Sequence, residues 1–293
     1  MHILSNLESC LISEEILARA YEHTSAARRA WIKKQIAHLC ACYPADHCLD
    51  KETLCRLDGS FSRTSISRHL DFAGLILGSA LPAWNKVLAL LVPAVINHAS
   101  ATAIFITGKK PEEVPADFLT ALELAGIEDI YLVSSNLLHT WLHGLDRSVQ
   151  AAFFVPEGGT SDDLAWNLLP GKVKKIALPW KSGLKAGVWA GKQLDWDWDV
   201  ISWANSDVHF MVAGEKARLA PPAFEVLELD RTEFLDLDMD VFFGPRDLFL
   251  QTRAFLGLYP GMEACWIWPG LDPAFFYFHR EFWSRPGADA PEN

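Results

Sequence analysis

Between Ala103 and Ser135 the sequence alternates in a way that few folds can satisfy. Ala103-Ile104-Phe105-Ile106-Thr107 is a short apolar run of β-branched and aromatic side chains, which suits a buried strand. Thr107-Gly108-Lys109-Lys110-Pro111 breaks it. From Glu112 to Ala125 the apolar residues Val114, Phe118, Leu122 and Ala125 recur at helical spacing, Gly126 closes the helix, and Ile130-Tyr131-Leu132-Val133 predicts a second strand. Two buried strands around one amphipathic helix make a βαβ unit, the building block of a parallel sheet. The alternation extends in both directions. Phe72 to Ser79 predicts a strand, Lys86 to His98 a helix, Ser135 to Leu145 a helix and Ala151 to Val155 a strand. The turn Pro156-Glu157-Gly158-Gly159-Thr160 opens a helix over Asp162 to Leu169, and Lys174 to Leu178 is the next strand. The expected class is α/β: a doubly wound, mostly parallel sheet over residues 72–215, with helices on both faces.

The flanks read differently. Residues 1–71 form an expected helical region, with Ser13-Glu14-Glu15 as a cap and acidic first turn. A second helix runs from Ser25 to Cys42, carrying Trp31, Ile32, Ile36 and Leu39 on one face and Arg28, Arg29, Lys33 and Lys34 on the exposed one. Ser60 to Ser67, crowded with serine, reads as a loop. Residues 216–293 form a short aromatic-rich part. Val208 to Val212 and Phe224 to Leu229 predict strands, and Asp247 to Gly257 predicts a helix. Tryptophan and aspartate mix between Trp189 and Trp203, and a dense aromatic cluster follows Cys265.

Half the residues are apolar and 22% are charged, which excludes a disordered chain. The net charge of −11 repels phosphate backbones, so nucleic acid is not an expected partner. The most apolar stretch, Val87 to Ile96, is far short of the ~20 residues a membrane helix needs. The N-terminus lacks the basic start and apolar block of a secretory leader, so the expected location is cytoplasmic. A small-molecule ligand, a protein partner and a homo-oligomer all stay open. Cys40, Cys42, Cys48 and Cys55, with His38 and His47 among them, lack the paired knuckles of common zinc sites; they read as reduced thiols, and no metal is expected.

Residues 72 to 190 resemble the cofactor domain of the aldehyde dehydrogenase superfamily, nearest its fatty acyl-CoA reductase branch. Pro82-Ala83-Trp84-Asn85 before an apolar helix is similar to the family's Pro-Trp-Asn turn. Ala103 to Lys109 resembles the strand that ends in a lysine near the cofactor's adenosine ribose. Leu122 to Ile127 matches a helix end that the family writes Glu-Ala-Gly. Phe154 to Thr160 resembles its glycine-containing turn beside the pyrophosphate, and Lys174 to Gly183 its strand and Lys-Ser loop. A fainter similarity to histidinol dehydrogenase covers Val92 to Tyr131. The resemblance implies NAD or NADP as cofactor, with Gly158, Gly159 and Thr160 at the phosphate and Lys109 or Lys110 at the ribose. Backbone N–H groups at a glycine turn before a helix suit that contact, although Glu157, Asp162 and Asp163 place negative charge nearby.

The resemblance also implies a cysteine nucleophile near Trp203-Ala204-Asn205-Ser206-Asp207 and a glutamate base near Ile176 to Trp180. Neither is present. Cys265 stands in an aromatic context that favours an inert buried thiol, so the catalytic residues are unknown and thiol-dependent oxidoreductase chemistry is expected to be missing. Three further groups are weaker. His139 and His143 share a helix face without the glutamate of a zinc motif. Asp236, Asp238 and Asp240 alternate on an expected strand, which would put all three on one face. The tryptophan-rich segment suits a ligand pocket, a partner interface or core.

Overall fold

The computed structural model describes residues 4–43, 51–57, 61–97, 99–156, 173–178 and 183–284. The chain begins with two helices, α1 (Glu14–His23) and α2 (Ala26–Cys42). Ser25 caps α2, its hydroxyl accepting from the Arg28 amide at 3.3 Å. The helical reading of residues 1–71 then fails. Residues 51–57 and 61–69 are strands, β1 (Lys51–Leu57) and β2 (Phe61–His69), paired antiparallel with Leu57 opposite Phe61. The serines read as a loop lie inside β2. Their neighbours Thr64 and Ile66 are β-branched, and pairing on both edges holds this strand without a continuous apolar face.

The first parallel sheet follows. Its elements are β3 (Phe72–Leu77), α3 (Trp84–Ile96), β4 (Thr102–Thr107), α4 (Ala116–Leu124), β5 (Asp129–Val133), α5 (Ser135–His143), β6 (Ala151–Pro156) and β7 (Val173–Leu178). The expected βαβ unit is present: β4 pairs in parallel with β5, Ala103 opposite Asp129 and Thr107 opposite Val133. The strand order is β5-β4-β3-β6-β7. Counted by appearance it is third, second, first, fourth, fifth, the order of a doubly wound nucleotide-binding half. From Trp84 to Ala94 every residue of α3 is buried, so this helix is apolar all round because protein surrounds it all round.

A second sheet repeats that plan. β8 (Leu184–Trp189), α6 (Trp198–Ala204), β9 (Val208–Ala213), β10 (Glu225–Val226), α7 (Arg231–Leu235), β11 (Val241–Phe243), α8 (Arg246–Phe249) and β12 (Leu256–Leu258) give the order β10-β9-β8-β11-β12, again all parallel. This sheet spans residue 215, so the chain holds two short parallel sheets in place of one long one. The helix expected over 247–257 is a single turn, α8, before β12. Asp236, Asp238 and Asp240 lie in the connection between α7 and β11, not on a strand, and Asp240 accepts from the Lys185 amide at 3.0 Å. Finally β13 (Tyr277–Ser284) returns to pair antiparallel with β2. One apolar core runs through both sheets, including Leu75 and Ile104 of the first and Ala186 and Val188 of the second. Among the described residues no helix is long and apolar enough to cross a membrane.

Each central strand carries a glycine under a large side chain. A Cβ on Gly74 would lie 2.6 Å from two carbons of the Phe153 ring, and one on Gly187 would lie 2.7 Å from the Met239 sulfur. Gly74→Val should therefore destabilise the protein by about 1–3 kcal/mol, the usual range for overpacking a filled core. Urea unfolding followed by circular dichroism measures it. An unchanged midpoint would mean that Phe153 is free to move aside.

Candidate functional site

In doubly wound sheets ligands bind beyond the carboxyl ends of the strands. At that edge of the first sheet, β4 runs into Gly108, whose φ of 73° lets the chain turn sharply off the strand end. Lys109 follows half-buried and Lys110 exposed. The Lys110 amide donates to the Glu113 carboxylate at 2.7 Å, which fixes the turn into α4. Two ammonium groups thus follow the end of β4, with Glu112 and Glu113 just after them. Gly158, Gly159 and Thr160, together with the helix expected after them, lie outside the described residues.

The segment 203–207, where the nucleophile was sought, is brought against the start of α3. The Asn85 amide donates to Asn205 Oδ1 at 3.2 Å and to the Ala264 carbonyl at 3.3 Å. Asn205 in turn donates to the carbonyls of Ile201 at 3.1 Å and Glu263 at 3.0 Å. Lys86, fully buried, forms an ion pair with Asp207, whose other oxygen accepts from the Ala83 amide at 3.2 Å. Burial pulls the Lys86 ammonium below the ordinary lysine value, and the Asp207 carboxylate pulls it back. Gln35 of α2 joins the same interior, donating to the Trp266 carbonyl at 2.7 Å and accepting from the Trp266 amide at 3.0 Å. This polar interior escaped the sequence reading. The available signal was Lys86 itself, a charge at the head of the most apolar helix in the chain.

The other candidates separate. Cys265 is buried, and desolvation pushes its thiol up to about 11, so almost no thiolate forms near neutral pH. Cys40 and Cys42 are exposed on α2 and Cys10 is half-buried. The His139 and His143 imidazoles meet at 3.1 Å, but among the described residues no group of three metal-ligating side chains comes together. The tryptophan–aspartate mix forms the walls of two adjoining recesses. In the first, of about 780 Å³, the Trp203 indole donates to Asp117 at 2.7 Å and its ring stacks against Trp84 at 5.1 Å. Arg28 pairs with the same Asp117 at 2.8 Å and lies over the Trp203 ring at 5.0 Å.

No family model and no curated protein matches the sequence. Solved structures do match. Histidinol dehydrogenase from Elizabethkingia anophelis aligns with a TM-score of 0.58 at 12% identity, over 94% of this chain and 77% of that one. The likeness is one of fold. The putative aldehyde dehydrogenase PutA from Anabaena variabilis aligns with a TM-score of 0.50 at 11% identity, over 98% of this chain and 87% of that one.

Asp207→Ala should destabilise the protein by roughly 3–5 kcal/mol, because it strands a buried ammonium. Replacing both partners, Lys86→Met with Asp207→Leu, should recover most of that loss, since apolar substitutes for a buried ion pair are often neutral or better. Chemical denaturation of the two variants checks this. A single variant as stable as the parent would show that Lys86 is held by other groups.

Proposed function

We propose that this chain is a ligand-binding relative of the aldehyde dehydrogenase superfamily, on its acyl-CoA reductase side, that has lost thiol-dependent oxidoreductase chemistry. The observation that carries this reading is the state of segment 203–207. It holds no cysteine, and its Asn205 and Asp207 are engaged with Asn85 and Lys86 in the interior. Neither an amide nor a carboxylate held in this way can supply the thiolate that such chemistry needs. The duplicated strand order supports a nucleotide ligand at the first sheet. NAD or NADP would lie there with Gly158, Gly159 and Thr160 at the phosphate and Lys109 or Lys110 at the ribose. The nicotinamide would supply hydride chemistry only to an enzyme that also held a reacting group beside it.

Purified protein should neither oxidise aldehydes nor reduce acyl-CoA with NAD or NADP. Calorimetry should detect binding of NAD or NADP, and Lys109→Ala should weaken it by up to about fivefold, the scale of an exposed charge contact. Turnover in the parent that is lost in Cys265→Ala would overturn the reading. Iodoacetamide labelling gives a separate check: at pH 8 Cys40 and Cys42 should be modified in the native protein, and Cys265 only after unfolding.

A second reading, an interaction protein or homo-oligomer, rests on β13, where Phe282 and Trp283 are 58% and 54% exposed. Light scattering of Phe282→Ser/Trp283→Ser against the parent tests it; a lower mass in the variant supports association through this strand, and equal masses remove it.

A further inference from the structure

The carboxyl edge of the second sheet is acidic. The chain leaves β8 through residues 190–197, β9 through 214–222 and β12 through 259–263. These three connections enclose a recess of about 830 Å³. Asp195, Asp197 and Asp199 alternate along one wall with Trp196 and Trp198, and Glu263 lies on the opposite connection. The recess shares Asp197, Asp199 and Pro221 with the first one, so the two form one groove that continues to Trp203 and Asp117. Five carboxylates line this groove against a single guanidinium, Arg28, which Asp117 already neutralises at 2.8 Å. A pyrophosphate would be repelled along its whole length.

Two observations narrow the occupant. First, among the described residues no three acidic, histidine or cysteine side chains gather tightly enough to hold one metal ion. The charge is spread along the groove, which suits a cation whose charges are also spread. Second, Glu263 is only 2% exposed, and its Oε2 accepts no hydrogen bond. A buried carboxylate oxygen without a donor is strongly unfavourable, so a donor from a ligand would relieve it. That calls for an N–H-bearing cation and not a quaternary one. The half-buried Trp198 indole beside the carboxylates attracts cations, and the Arg28 guanidinium over Trp203 is such a contact already made within the chain. Asp197 is partly committed, since its side chain accepts from the Val200 amide at 3.1 Å to cap α6. Asp195, Asp199 and Glu263 carry the site.

We propose that this groove binds a linear aliphatic polyamine. Its protonated amines donate to Glu263, Asp195 and Asp199, and its methylene spacers lie against the indole of Trp198. The inference does not depend on a nucleotide at the first sheet.

Spermidine titrated into the full-length protein, followed by tryptophan fluorescence and calorimetry, tests it. Saturable one-to-one binding is expected, weakening as salt rises. Glu263→Gln, close in shape, should lower the affinity about tenfold, as loss of a buried charge partner does. Asp195→Asn with Asp199→Asn should lower it several-fold. Three results would each overturn the proposal: no saturation at millimolar spermidine, an equal response to Mg²⁺ at matched charge, or full affinity in Glu263→Gln. Tighter binding of a trilysine peptide than of spermidine would also overturn it, and would assign the groove to a protein partner.

Discussion

The Lys86–Asp207 ion pair joins the two halves of the molecule at their least forgiving point. Lys86 sits in a helix buried on every side, and Asp207 comes from the connection between α6 and β9 of the second sheet. A charge in such a place is tolerated only with its partner and with satisfied hydrogen bonds around it. Here the surroundings are polar, and most of their groups are paired; Asn85 Oδ1 and the Trp266 indole N–H are buried without a partner. Asn85 and Asn205 bond to each other, Gln35 brings in α2, and the Trp268 indole donates to the Lys86 carbonyl at 3.1 Å. Four stretches far apart in the chain are thereby held in one register. An apolar interface could slide, whereas these directional contacts cannot be exchanged one for another without stranding a donor or acceptor.

That register matters because the two sheets share a plan. Each runs third, second, first, fourth, fifth, and each has a glycine in its central strand beneath a bulky side chain. With equivalent halves, the distinction between them comes from what fills their carboxyl edges. In the first, Leu81 to Trp84 and α3 carry the strand end into the shared interior, and Asp207 bonds to the Ala83 amide. Segment 203–207 is thereby a structural joint between the two sheets. Asn205 is buried and Asp207 half-buried there, and both side chains are committed to bonds with the start of α3.

The parallel units were legible in the sequence where the physical signal is strong. Ala103–Thr107 and Ile130–Val133 are buried on both faces, so they are apolar without interruption, and Gly126 and Gly108 mark the turns by their need for positive φ, 74° and 73°. The hairpin of β1 and β2 was not legible, because β2 is held by its edges and its serines look like a loop. The second sheet was hidden for another reason. Its strands β10, β11 and β12 hold two or three residues each, too few for a period to show. Gly187 interrupts β8 where Met239 packs, and tryptophans in the connections mimic core. Of the candidate features, the lack of a cysteine in segment 203–207 could be read directly, as could the place of Lys109 just after a strand. Lys86–Asp207 and Glu263 could not, because partners 121 residues apart or brought in from the last connection exist only after folding.

The contrast between the two carboxyl edges follows from charge alone. A strand end that carries Gly108, Lys109 and Lys110 offers donors and positive charge, and its glycine lets the backbone approach a ligand closely. The corresponding connections of the second sheet carry Asp195, Asp199 and Glu263 with indoles between them, and offer acceptors and aromatic faces. No single ligand class satisfies both. An anion favoured at the first is repelled at the second, and a polyamine favoured at the second gains nothing beside two lysines. On these two proposals the duplicated fold would take ligands of opposite sign at its two edges. Asp207 and Asp199 lie on the same short stretch that includes α6, so one segment carries both the joint to Lys86 and a wall of the acidic groove.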